Sequence, residues 1–164
     1  MTAVIGATHV VCAIGNGTRQ VWASTRAGIG RIGNSHVMDR HFESIRMGLV
    51  PEAALAPLPP EVDDLPLPPR ARRMLRLAAP SFRSVAKDVN LPVPVFIGLP
   101  ELSPAEAPWL KHVPTYLQKL TGVPIDARRS TVVARGRAAA LMALDAALDS
   151  VRSDPASTVI VGGW

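Results

Sequence analysis

Apolar residues gather in separate stretches of the chain, and the spacing within each stretch predicts its element. From Ala3 to Ile14 the run is rich in β-branched residues and closes at Gly15-Asn16-Gly17, the pattern of a buried strand ended by a turn. Thr18 is placed to cap a short helix over Arg19 to Ala27, with Val21 and Trp22 on its apolar side and Gly28 to stop it. No period persists from Ile29 to Val50, so an irregular surface region is expected, with one helical turn near His41 to Met47. Residues 50–69 carry Pro51, Pro57, Pro59, Pro60, Pro66, Pro68 and Pro69. Prolines donate no backbone N–H, so this is expected to be an extended surface loop.

Helical spacing returns between Arg70 and Val89, where Met74, Leu75, Leu77, Ala78, Ala79, Phe82 and Val85 mark a buried face and Pro80 a kink. Leu91 to Leu99 reads as an interior strand between Pro92 and Pro100. Ser103-Pro104-Ala105-Glu106 has the capping-box pattern with proline at the first helical position. The helix it opens carries Trp109, Val113, Tyr116, Leu117 and Leu120, is interrupted by Pro108 and Pro114, and ends at Gly122. Pro124 to Val133 alternates more than the earlier strands, which suits an edge or an interface. Ala138 to Leu148 holds one polar residue, Asp145. A helix so apolar is expected to be surrounded by protein. Ser153-Asp154-Pro155 stops it, and Thr158 to Val161 forms a core strand. Strand, buried helix, strand is a βαβ crossover, so the fold class is α/β with a mostly parallel sheet covered by helices.

Composition narrows the function classes. The 164 residues suit one ordinary domain, and 48% apolar with 19% charged residues describes a substantial core. No apolar run reaches the ~18 residues of a membrane span, and Met1 to Gly15 has neither a basic leader nor a cleavage site. A cytoplasmic location with no membrane partner is therefore expected. The lone cysteine, Cys12, lies among Val10, Val11, Ala13 and Ile14 and reads as an inert buried thiol. The net charge of +5 invites an anionic partner. Its densest cluster is Arg70, Arg72, Arg73, Arg76 and Arg83, but no aromatic residues interleave with it as stacking platforms. A solvated or partner-facing basic surface is the better reading, and nucleic acid is not the expected partner.

Candidate chemistry is sparse. Gly28-Ile29-Gly30-Arg31-Ile32-Gly33 spells GxGxxG, yet it follows a short helix rather than a strand, so a flexible turn is expected and no dinucleotide cofactor. His36, Asp39 and His41 match no defined metal spacing. His9 falls in the first expected strand and His112 on a helix, neither with a nucleophile nearby in sequence.

Several segments occur in a recognisable order. Ala3-Val4-Ile5-Gly6 runs through Cys12-Ala13-Ile14-Gly15-Asn16 and is followed by Val21-Trp22-Ala23 and Ala27-Gly28-Ile29-Gly30. Then come Met74 to Ala86, Pro124-Ile125-Asp126 through Ala134-Arg135-Gly136-Arg137-Ala138-Ala139-Ala140-Leu141, and Val159-Ile160-Val161-Gly162-Gly163. This order resembles the N-terminal half of the β-ketoacyl synthases, in the thiolase-like superfamily. The resemblance implies one domain over residues 1–164, a buried central helix, and a chain that is a fragment of a longer protein. It also implies acyltransferase ancestry in fatty acid or polyketide metabolism, a homodimer or a heterodimer with a ketosynthase, and contact with acyl carrier protein.

The departure from that family lies at the entrance to the buried helix, where its active members carry a nucleophilic cysteine. Here Arg135 aligns with it, and sliding by one gives Ala134 or Gly136. None of these can be acylated, so no catalytic residue is assigned and a non-condensing partner subunit is expected. An acyl-thioester enzyme drawing on residues outside this chain is the alternative, and an anion- or nucleic-acid-binding module a third. Arg135 and Arg137 are cations at a helix N-terminus, where the dipole disfavours them, so an anion should answer them. The candidates are a bound carboxylate or phosphate, a partner's acidic residue, or locally Asp126 or Asp145.

Overall fold

A computed structural model describes residues 3–164. Its organising element is strand β5, Val95–Leu99, in which all five residues are buried. Strands β6, Thr131–Ala134, and β7, Ile160–Gly163, pair with β5 on either side, both parallel to it, in the order β6-β5-β7. The expected α/β class and parallel crossover are therefore present, with β5 inserted between the two strands that the helix connects.

Parallel strands need cover on both faces, and the alternation of β5 shows how it is supplied. Val95, Ile97 and Leu99 enter the main core, while Phe96 points the other way against Ala143 and Ala147. The main core is built by helix α3, Pro69–Val85, and helix α4, Val113–Thr121. Helix α3 buries Ala71, Met74, Leu75, Ala79 and Phe82 on one face and runs through Pro80 without interruption. Before α4, the Ser103–Glu106 motif forms a turn in place of the expected helix start. The Glu106 carboxylate accepts from the Ser103 N–H at 3.0 Å and its hydroxyl at 2.9 Å, and these bonds hold it below the usual carboxylate range. A 3-10 segment, Ala107–His112, follows before α4, which ends at Gly122 in the left-handed region. Pro108 and Pro114 thus confine the regular helix to its last two turns or so.

The other face of the sheet is covered by helix α5, Ala139–Ser153, through the stripe Ala139, Ala143 and Ala147. The expectation of a helix buried on nearly all sides is corrected here. Leu141 is 71% exposed and Met142 46%, because the sheet packs against one face of α5 and leaves the opposite face open.

The first third of the chain departs furthest from expectation. No residue from Ala3 to Ala54 is buried. The predicted strand over Ala3 to Ile14 contracts to β1, Val11–Cys12, which pairs antiparallel with β2, Gly15–Asn16. Residues 3–10 are irregular, with Val4 86% and Ile5 82% exposed, and Cys12 is half-buried rather than enclosed. Helix α1 spans Thr18–Arg26, with Gly17 at the cap position and the Thr18 hydroxyl donating to the Thr8 carbonyl. Its Trp22 stays exposed beneath the Arg26 guanidinium, 4.9 Å from the ring centre.

In place of the irregular region, β3, Ile32–Met38, and β4, Ser44–Gly48, form an antiparallel hairpin with a bulge. Exposure on both faces removes the alternation by which a strand is read. At its tip the Asp39 carboxylate accepts from the amides of His41, 2.7 Å, and Glu43, 2.9 Å. Asp39 thus closes that turn, and His36 lies on β3.

The proline-rich loop is tied down by the arginine cluster. It contains a 3-10 turn, Glu52–Ala54, and one helical turn, α2, Pro60–Asp63. Arg76 donates to the carbonyls of Ala56, 2.8 Å, and Leu55, 3.0 Å, and pairs with the Glu52 carboxylate at 2.6 Å. Arg73 also pairs with Glu52 and donates to Val50, 2.6 Å, while Arg72 pairs with Asp63 and donates to Leu65 and Leu67. Arg83 donates to Leu120 and Arg70 to Glu101. Loop carbonyls left without donors by the missing proline amides are satisfied by guanidinium groups instead.

This fastening is expected to respond to acid. Partial loss of hydration pushes the Glu52 carboxyl up, but the hydrogen bonds and charges of Arg73 and Arg76 outweigh it and hold the group below the ordinary range. A depressed carboxyl contributes stability above its unfolded value and loses it as pH falls through the folded one. The side chain is 62% exposed, so solvent screens the effect and it stays small. An NMR titration of Glu52 should give a midpoint below the ordinary range, moving up in Arg76→Ala. An unmoved midpoint in that variant would refute the pairing.

Candidate functional site

The entrance to α5 is a sharp strand-to-helix bend. β6 ends at Ala134, Arg135 follows at φ −130°, ψ 31°, and Gly136 adopts φ +60° before a 3-10 turn, Gly136–Ala138, leads into the helix. Only glycine enters the left-handed region without cost, so Gly136 is what lets the chain reverse here. Arg135 is in a conformation open to any residue and is exposed, as is Arg137.

The first turn of α5 sits directly on the sheet, and glycines permit it. A β-carbon on Gly98 would lie 2.5 Å from the Ala139 carbonyl carbon and the Ala140 nitrogen. On Gly163 it would lie 3.1 Å from the Ala140 methyl. The alanine-rich stripe read from the sequence thus meets a glycine platform on β5 and β7. Gly98 was not among the residues that sequence reasoning selected, and its signal was a lone glycine inside an otherwise branched apolar strand.

The bend gathers no nucleophile. Among the described residues neither Arg135 nor Arg137 forms an ion pair within 4.0 Å. The two local carboxylates expected to answer them do not. Asp126 accepts from the amides of Arg128, 3.1 Å, and Arg129, 3.3 Å, and Asp145 lies exposed on the outer face of α5. That face runs from Arg137 through Leu141 to Asp145 and Leu148.

The remaining candidates fall elsewhere. The glycines of GxGxxG are exposed, Gly28 ends α1 at φ +67°, and β3 begins inside the motif, so no helix N-terminus meets it. His112 stacks obliquely on Tyr116, with ring centres 5.7 Å apart. His9, expected in a core strand, is half-buried with its Nδ1 3.0 Å from the Ser81 hydroxyl of α3, a pairing no sequence proximity could reveal. The arginine cluster is tied to the proline-rich loop and to the carbonyls of Leu120 and Glu101. No helix is long and apolar enough to cross a membrane among the described residues. No protein-family model, curated protein or solved structure matches the chain.

Proposed function

We propose that the chain is a ketosynthase-like, non-condensing partner subunit that uses a thiolase-like half-fold for association rather than for carbon–carbon bond formation. One observation carries this reading. The bend that would present a nucleophile at the tip of β6 presents the side chain of Arg135, which offers no thiol or hydroxyl to attack a thioester. The parallel order β6-β5-β7 and the close seat of α5 on Gly98 and Gly163 support the family resemblance. The exposed Leu141, Met142 and Leu144 of α5 support a role in association.

The partner in this reading is a second copy or an active synthase. Intact mass spectrometry after incubation with acetyl and malonyl thioesters should show no added mass. An acyl adduct on any residue would sink the proposal.

A second reading is favoured by the lack of any ion-pair partner for Arg135 and Arg137. These two arginines hold an anionic group, such as the phosphate of a carrier-protein phosphopantetheine. Phosphopantetheine titration then separates the two, since saturable binding lost in Arg135→Ala with Arg137→Ala belongs to this second reading alone.

A further inference from the structure

The outer face of α5 carries a ridge that complements itself. Arg137, Leu141 and Asp145 follow one another at intervals of four residues, which makes them one i±4 row, and all three are exposed. Leu141 at the centre is 71% exposed, and Met142 and Leu144, at 46% and 42%, border it. Among the described residues neither Arg137 nor Asp145 forms an ion pair within 4.0 Å. The charges farther along the helix are already answered, because Arg152 pairs with Asp149 at 2.8 Å. Ala3 approaches α5 beyond this row, in a hollow shared with Leu148, Val151 and Arg152.

Leu141 stands midway between the two charges, about 6 Å along the helix axis from each. Helices that interdigitate their i±4 ridges cross at about −50°, the commonest packing class, and the two ridges then run side by side. With a two-fold axis at Leu141 the ridge lies beside its own reverse. Arg137 then meets Asp145 of the second copy, Asp145 meets Arg137 of the second copy, and the two Leu141 side chains fill the centre. In-register parallel pairing would instead oppose like charges.

We infer that the chain forms a two-fold dimer by antiparallel packing of α5 on α5, with Leu141 on the axis and an Arg137–Asp145 pair on each side of it. The inference rests on the association reading above and names the partner as a second copy. Charge selects that occupant: the covering surface must offer an acid, an apolar residue and a base at matching intervals, and this chain presents that series itself. The helix dipole that disfavours Arg137 at the start of α5 is offset by the facing carboxylate. A single helix pair is a small interface, so the dimer dissociates on dilution.

Sedimentation of the 164-residue chain should show a monomer–dimer equilibrium that weakens as salt is added. Arg137→Asp and Asp145→Arg should each weaken dimerisation roughly tenfold or more, since either change sets like charges against each other on both sides of the axis. Mixed together, the two variants should associate to within about threefold of the unmodified chain, because one copy of each opposes unlike charges at both contacts. Both positions are exposed, so the urea midpoints of the monomers should not move. If either variant fails to fold, Leu141→Arg decides instead: two cations on the axis should leave a monomer. A mixture of folded variants that does not associate, or a dimer that survives all three substitutions, would overturn the proposal. So would an unmodified chain that is monomeric at every concentration. That last outcome leaves the partner-subunit reading standing, because that reading falls on an acyl adduct and not on self-association.

Discussion

Gly98→Ala is expected to cost about 3 kcal/mol, at the upper end of what overpacking a well-packed site does. The added methyl would stand 2.5 Å from two backbone atoms of α5 and 2.6 Å from the Ala140 Cα. Backbone in the first turn of a helix cannot rotate aside as a side chain can, so α5 must lift off β5 and loosen Ala143 and Ala147 against Phe96. Gly162→Ala is the matched control, because a β-carbon there meets nothing within 4 Å. Urea denaturation should show a large fall in midpoint for the first and a change within about 0.5 kcal/mol for the second. Equal losses in the two would show that glycine's backbone freedom, and not the contact with α5, decides stability at the platform.

Leu75→Ala should be comparably severe, removing about 3 kcal/mol. Leu75 is fully buried on α3 within the main core, where truncation leaves a cavity that neighbours on α4 and β5 can fill only in part. Leu141→Ala offers the informative contrast. At 71% exposed, its side chain has little packing to lose, and the isolated chain should keep its stability within about 0.5 kcal/mol. Association changes that expectation. If α5 supports a partner, Leu141→Ala leaves the monomer unchanged and weakens assembly, measured by light scattering. A loss of assembly without loss of monomer stability is the signature of a docking face, whereas Leu75→Ala should damage both.

The central layer of the fold was legible because its signals are local and strong. Val95 to Leu99 is apolar without alternation, as a strand covered on both faces must be, and Ser103 to Gly122 announces its breaks through Pro108 and Pro114. Gly28 and Gly122 stop their helices where expected. The first third misled for the converse reason. Val4 and Ile5 have the β-branched character of core residues, but burial depends on what packs against them, and no amino-acid pattern states that. The β3–β4 hairpin was missed because exposed faces impose no alternation.

At the candidate site, the missing nucleophile and the unusual Arg135 and Arg137 were visible in the sequence. The left-handed Gly136, the Gly98 platform and the His9–Ser81 pair required three dimensions. The arginine cluster shows the same limit. Its charge suggested an external anion, whereas its geometry serves the proline-rich loop.

The placement of β5 between β6 and β7 has a consequence for how the chain acquires its shape. The two hairpins close between near neighbours and α3 propagates residue by residue, events of microseconds or less in isolation. The sheet cannot begin so simply, because Phe96 must meet Thr131 on one side and Val161 on the other, both far along the chain. Until α5 and β7 are in place, the most apolar strand of the molecule has open edges on both sides. The slowest stage of folding is therefore the one that leaves β5 most available for mispairing with another chain.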